Sequence, residues 1–293
     1  MAESCYNFKD VSIVFNEIDS YVGVQKQGNG LVEYIKAPVS GYCRFANISG
    51  YDICFNYFQH VNSGVIYFLK TLKDKFNSKY DKLAEYAILL LSYKLNQHLE
   101  HQYKFANLNK FYANHIEKKA YYNNNKIKDN GPTYKEIIDK KKDLMNISIK
   151  EILKFYEALK TLCNIYNDCN KSELDCNKCL GDANKFADQF KELIKDSKNI
   201  ENISYSQMLS TLSDDYNNLK NIYDSNNCTD FPSIPKIKTP PSKLIPALST
   251  FSVIPVFLGI AYKYSLFGVD KLFQRQYIRK KLKKVKKKLK LNI

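Results

Sequence analysis

The sequence predicts a mostly α-helical protein: a helical-bundle domain, a single C-terminal membrane helix and a basic amphipathic tail. Three observations carry that expectation. From Val61 onward apolar residues recur at three- and four-residue spacing, as they do along one face of a helix. Nineteen uncharged residues, Leu244 to Tyr262 (LIPALSTFSVIPVFLGIAY), form one apolar run. Twelve Lys or Arg follow within the next 28 positions, eleven of them from Lys271 onward.

Residues 1–60 carry glycines at 23, 28, 30, 41 and 50 and no sustained period, so they read as an irregular, cysteine-containing region with short helices. The helical domain is 61–224. Its first segments, VNSGVIYFLKTLKDKF, KLAEYAILLLSYKLNQ and FANLNKFYANHIEKKAYY, hold the helical spacing. Ala87 to Leu91 is apolar all round, which places that helix at the centre of the core. After a break rich in Asn, Lys and Gly at 123–132, three helix starts are marked by capping boxes: Thr133 with Glu136, Ser148 with Glu151, and Ser204 with Gln207. The helix from Ser148 aligns Ile152, Phe155, Leu159, Leu162 and Tyr166; that from Ser204 aligns Tyr205, Met208, Leu212, Tyr216, Leu219 and Tyr223. Phe186, Phe190 and Leu193 mark a helix between them, which completes a bundle packed along heptad-like stripes. Strand signals are weak throughout.

Residues 225–243 contain four prolines and few large apolar groups, the composition of an extended stalk. In the membrane segment 244–262, nineteen residues at about 1.5 Å each span roughly 28 Å, close to a hydrocarbon core of about 30 Å. Pro246 falls in the first turn, where its missing N–H costs little, and Pro255 kinks the helix while Ser249, Thr250 and Ser252 re-satisfy freed carbonyls. Lys263 snorkels toward the headgroups beside Tyr262 and Tyr264. The tail, 263–293, holds Lys271, Arg275, Arg279, Lys280, Lys281, Lys283, Lys284, Lys286, Lys287, Lys288 and Lys290. Ile278, Leu282, Val285 and Leu289 form an apolar strip among them, so the tail lies along the anionic inner leaflet of the bilayer.

The formal net charge is +15, of which 271–290 with Asp270 supplies +10 and Lys263 one more, leaving +4 for 1–262. The high pI belongs to the tail, and neither a general polyanion-binding domain nor nucleic acid as a partner is indicated. Only three of the 45 basic residues are arginine, asparagine occurs 29 times and tryptophan is absent, the mark of an AT-rich coding sequence. Lys runs and Asn clusters such as Asn123 to Asn125 therefore read by default as solvated surface.

Eight cysteines, Cys5, Cys43, Cys54, Cys163, Cys169, Cys176, Cys179 and Cys228, all precede the membrane segment and read as disulfide cysteines, with connectivity open. A zinc site at 163, 169, 176 and 179 is disfavoured because only Cys176 and Cys179 are closely spaced. His98 and His101 share a helical face without a third ligand and read as solvated, and Asp214 and Asp215 as an ordinary exposed face. No Gly-rich phosphate loop, HExxH or Gly-x-Ser-x-Gly element occurs, so no catalytic, cofactor-binding or metal-binding residue is assigned. Sequons at Asn47, Asn146, Asn170, Asn202 and Asn227 carry no function in a chain this rich in asparagine.

Twelve Lys or Arg on the C-terminal flank face three (Lys236, Lys238, Lys243) on the other, which orients the tail to the cytosol and the cysteine-bearing domain outside, against a competing tail-anchored topology with the domain in the cytosol. The N-terminus shows no basic n-region followed by an apolar h-region, so targeting is expected from the C-terminal segment.

The stretches YKEIIDKKKDLMNI (134–147), FYEALKTLCNIY (155–166), SYSQMLSTLSDDYNNLKNIY (204–223) and KLIPALSTFSVIPVFLGIAYKYSLFG (243–268) resemble the Plasmodium interspersed repeat (PIR) variant antigens, in particular those of rodent malaria parasites. The resemblance implies a multigene variant antigen of the blood stages, mostly helical, with one C-terminal membrane helix, exported into or onto the infected red cell and active in immune evasion or adhesion. It supplies no catalytic residues. The chain departs from the pattern in its short linker and in lacking an Arg-x-Leu-x-Glu/Asp/Gln motif. Expected partners are the bilayer and a host receptor or antibody, met by loops at 23–55 and 120–132. The alternative reading is an intracellular protein that organises membranes of parasite or host-cell compartments.

Overall fold

The computed structural model describes residues 8–44, 46–48, 51–76, 79–98, 107–168, 176–195, 202–224 and 230–237. Residues 1–238 form one compact unit that contains every buried core side chain among the described residues. The membrane segment from Leu244 to Tyr262, with Pro255, and the basic tail belong to the second unit, 239–293, and lie outside the described residues. Among the described residues no helix is long and apolar enough to cross a membrane.

Phe8, Val11, Val14, Phe15 and Ile18 recur at helical spacing and form the buried stripe of α1 (Phe8–Tyr21). The chain then makes an antiparallel hairpin, β1 (Val22–Gln27) with β2 (Gly30–Ile35), in which Val22 pairs with Ile35 and Gln27 with Gly30. Gly28, at φ +61°, takes the left-handed conformation that this two-residue turn requires. A 3₁₀ turn (Val39–Tyr42) and a second small hairpin, β3 (Ala46–Ile48) with β4 (Tyr51–Ile53), lead to α2 (Tyr57–Leu72). The expectation of an irregular region over 1–60 is thus corrected. Its first helix packs against α2 and the later bundle, so no domain boundary falls at residue 60.

The central helix is α3 (Tyr80–Gln97), which packs against α2, α6 (Tyr134–Asp139) and α7 (Ile149–Asp168); every residue from Leu83 to Ser92 is buried. Short elements join α3 to α7: α4 (Asn109–Tyr112), a π-helical turn (Ala113–Glu117), α5 (Ala120–Asn124), α6 and a 3₁₀ turn (Lys142–Asn146). The two long stripes expected from sequence are buried, on α7 and on α9 (Ile203–Asp224), and α8 (Cys176–Lys195) packs on α7 with Ala183, Phe186, Phe190 and Leu193 buried. Aromatic contacts tie these helices: Phe186 stacks on Tyr216 at 4.7 Å, and Phe155 meets Tyr205 edge-on at 4.6 Å.

The capping box at Thr133 forms in full, with Glu136 N–H donating to Thr133 Oγ1 (3.2 Å) and Thr133 N–H to Glu136 Oε2 (2.7 Å). Ser148 accepts from the Glu151 N–H at 3.3 Å, and its hydroxyl donates to the Glu151 carboxylate at 2.9 Å. The third box is displaced. Asn202 caps α9, accepting from Tyr205 N–H at 3.1 Å, and Ser204 is buried inside the helix; asparagine caps as well as serine does.

The stalk also differs from expectation at its start. Phe231 is buried and stacks on Tyr223 at 4.8 Å, Tyr216 Oη donates to Pro232 O at 2.7 Å, and Lys220 Nζ donates to Phe231 O at 3.0 Å. Ile234 and Ile237 pack against the core behind them. Residues 231–237 are a strap along α9, because every third side chain of an extended, proline-containing segment (Phe231, Ile234, Ile237) can pack on the core while the prolines leave no N–H to satisfy.

Candidate recognition surface

The hairpin β1–β2 begins inside the protein and ends in solvent: Val22 and Gly23 are buried, and residues 25–32 are exposed. Its base is held by the C-terminal end of α3. Lys94, with its side chain 1% exposed, donates to Val22 O (2.7 Å), Asp19 Oδ1 (2.6 Å) and Gln97 Oε1 (3.1 Å). Burial depresses the Lys94 ammonium pKa against the opposing pull of Asp19. Burial raises the Asp19 carboxyl, but Lys94 and Lys160 together bring it below its ordinary range. One turn beyond Lys94, His98 Nε2 lies 2.7 Å from Glu33 Oε1 of β2, and the His98 ring packs 5.0 Å from Tyr57. His98 is therefore buried and paired to the hairpin, not solvated as its surroundings in sequence suggest, while His101 lies outside the described residues. Tyr34 lies across Gly23, where a Cβ would come within 2.6 Å of the phenol oxygen, so a larger residue there would have to displace that ring.

Beside the hairpin, Cys43 and Cys54 form a disulfide that closes the β3–β4 loop onto α2. Ser63 of α2 lies 3.2 Å from Cys54 Sγ and 3.7 Å from Cys43 Sγ. His60, one turn earlier, is buried; burial lowers its pKa, with the Cys54 backbone a smaller opposing influence. The segment from Val22 to Phe55 thus rests on a rigid floor and projects Leu31 (44% exposed), Val32 (39%) and Phe55 (60%) into solvent. Large apolar side chains on an anchored scaffold suit partner contact, because little conformational freedom is lost on binding.

Of the eight cysteines expected to pair, Cys176 and Cys179 are disulfide-bonded and Cys43 joins Cys54. Cys163 is corrected to a free thiol: it faces inward on α7 among apolar residues, and burial followed by the Asp215 charge raises its pKa far above the ordinary thiol value. Cys5, Cys169 and Cys228 lie outside the described residues.

The residues that sequence reasoning missed form a buried polar network in the bundle. Lys141 Nζ lies 2.6 Å from Glu85 Oε1 and donates to Gln207 Oε1 at 2.6 Å; Thr211 donates to Glu85 Oε2 at 2.7 Å. Nearby, Tyr86 Oη donates to the Asp215 carboxylate and Tyr166 Oη to the Asp215 carbonyl at 3.3 Å. Asp215 is 1% exposed, which corrects its assignment to an exposed face. These carboxylates are closed off from solvent and match hydrogen-bond donors across helices, an arrangement that fixes helix register and offers no substrate contact. Among the described residues no group of three or more His, Cys, Asp or Glu side chains could hold a metal ion.

Comparison with known proteins places these features in context. Residues 6–263 match the family model described as Plasmodium variant antigen protein Cir/Yir/Bir. Among solved structures, the chain is similar to a Plasmodium PIR protein ectodomain at 32% sequence identity with a TM-score of 0.57, covering 80% of this chain and 100% of that one. No curated protein matches the chain.

Proposed function

The chain belongs to the Plasmodium Cir/Yir/Bir family of variant antigens, and from that premise we propose that it is a membrane-anchored antigen of the blood stages, exported to the infected red cell, that works by recognition and immune evasion and not by catalysis. The observation that carries the reading is the anchored hairpin. A fold that commits buried Lys94, His98 and a disulfide to holding up a short sheet with exposed Leu31, Val32 and Phe55 is built to present that sheet. The segment 244–262 serves as the anchor, twelve flanking cations keep the tail on the cytosolic leaflet, and the domain stands outside. Host receptors or antibodies meet the hairpin and the adjoining disulfide loop.

Antibodies raised against the 22–35 hairpin, applied to intact infected red cells, test this. Surface labelling that disappears with Leu31→Asp/Val32→Asp in the expressed antigen is expected. Labelling only after permeabilisation would move the protein inside and favour the role in organising internal membranes.

A further inference from the structure

The charge of the domain is unevenly placed. Residues 1–262 carry +4, and residues 110–143 alone, with nine lysines against five Asp or Glu, also carry +4, so the remainder is neutral. Ion pairing then divides this segment in two. Its second half is compensated: Lys135 pairs with Asp139, Lys140 with Asp81 (3.6 Å), Lys141 with Glu85 (2.6 Å) and Lys142 with Glu117 (3.3 Å), while Glu136 is occupied by the Thr133 cap. The first half is not. Lys118, Lys119, Lys126 and Lys128 are all exposed and make no ion pair within 4 Å among the described residues, although Lys126 lies near enough to Glu136 to add to the lowering of its carboxyl pKa by the Thr133 cap.

These four lysines sit on fixed backbone. Between them Ile116, Tyr122 and Ile127 are buried, Tyr122 Oη donates to Asn62 Oδ1 at 2.7 Å, and Ile127 N–H bonds to Pro132 O at 2.9 Å. Lys126 pairs with Thr133 in an isolated bridge, and Asn123 Nδ2 donates to Glu117 O (3.0 Å) and Lys119 O (2.9 Å). The positive field is felt locally: burial lowers the pKa of His115, and Lys119 lowers it further. Around the lysines the exposed side chains include the amides Asn123, Asn124, Asn125 and Asn130 and one carboxylate, Asp129, with the half-buried Tyr121 ring alongside. None of the exposed large apolar residues, Ile13, Leu31, Val32, Phe55, Ile203 and Ile222, falls in this segment.

We infer that the Lys118–Lys128 face binds a linear sulfated polysaccharide. Uncompensated ammonium groups on a rigid surface attract a row of sulfates, neighbouring amides hydrogen-bond sugar hydroxyls, and the Tyr121 ring offers a face to a pyranose. An anionic lipid surface would call for apolar side chains beside the cations to enter the headgroup layer, and this face has none. The inference deepens the recognition reading by naming a ligand class, and it rests on that reading only for where the ligand is met.

The test uses residues 1–238, which close their own core; the chain is similar over 80% of its length to a solved PIR ectodomain. Binding to immobilised heparin is measured at about 150 mM NaCl and at lower salt, with folding checked by thermal melts. Lys118→Ala, Lys119→Ala, Lys126→Ala and Lys128→Ala together should weaken binding about tenfold or more, since each exposed pair contributes a small factor. A control with the same charge change, Lys70→Ala, Lys79→Ala, Lys154→Ala and Lys185→Ala, should lose less than about twofold. Equal losses in both variants, or no heparin binding by the unaltered domain, would overturn the site. Binding to phosphatidylserine vesicles with none to heparin would overturn it in favour of a lipid surface. Because the measurement needs no cell, its failure leaves surface display untouched, and a failure of display leaves heparin binding intact.

Discussion

At the scale of single residues, the domain depends on charges that its fold has taken out of water. Lys141 and Glu85 are both buried, and their 2.6 Å contact is reinforced by Thr211 and Gln207. Removing one partner leaves the other charge uncompensated, so Lys141→Met should destabilise the domain by about 3–5 kcal/mol in urea unfolding. Adding Glu85→Leu should recover more than half of that loss, and a single-variant cost under about 1 kcal/mol would contradict the pairing. The buried His60 and half-buried His115 set a second dependence. Burial lowers the pKa of both His60 and His115, so between those folded-state values and about 6.5 the unfolded chain binds more protons than the folded one. Their contribution is complete above about pH 6.5 and is lost as the pH falls through the folded-state pKa values. Thermal melts between pH 7.5 and 5 should show the midpoint falling with acid, and His60→Gln with His115→Gln should flatten that fall.

At the scale of elements, the loop closed by Cys43–Cys54, with a sequence separation of 11, holds the second hairpin on α2. Replacing both cysteines by serine should cost roughly 2–3 kcal/mol through restored freedom of the unfolded loop, and should raise protease cleavage within 44–53 before any cleavage in α3. Unchanged stability and cleavage would show that the packing on α2 suffices. The long helices were legible from sequence because burial on one face imposes a period, and the stripes of α7 and α9 are the buried ones seen. Legible too was the central place of Ala87–Leu91. Helix α1 was not, although Phe8, Val11, Phe15 and Ile18 keep the helical spacing, because the glycines that follow dominate the composition of 1–60. The hairpin carried one local signal, Gly28-Asn29 between two extended runs, but no alternation accompanies it, since its tip is solvated on both faces. The partners of Lys94, His98, Lys141 and Asp215 come from distant parts of the chain, and no periodicity encodes such pairs.

At the scale of the whole molecule, the chain divides its chemistry by position. Residues 1–238 hold the core, the disulfides described above and the projecting hairpin, whereas most of the net charge and the long apolar run lie beyond them in sequence. That division suits the role we propose, in which a stable body carries a surface free to vary outside the buried network and the apolar run serves as attachment. Because Leu31, Val32 and Phe55 contribute little to the core, substitutions there should stay within about 0.5 kcal/mol of the parent stability while changing what the surface binds. Treatment of intact infected red cells with protease, followed by separate probes for residues 1–238 and for the basic tail, tests display most directly. Loss of the domain signal with the tail protected is the expected result; protection of both would contradict an exposed antigen.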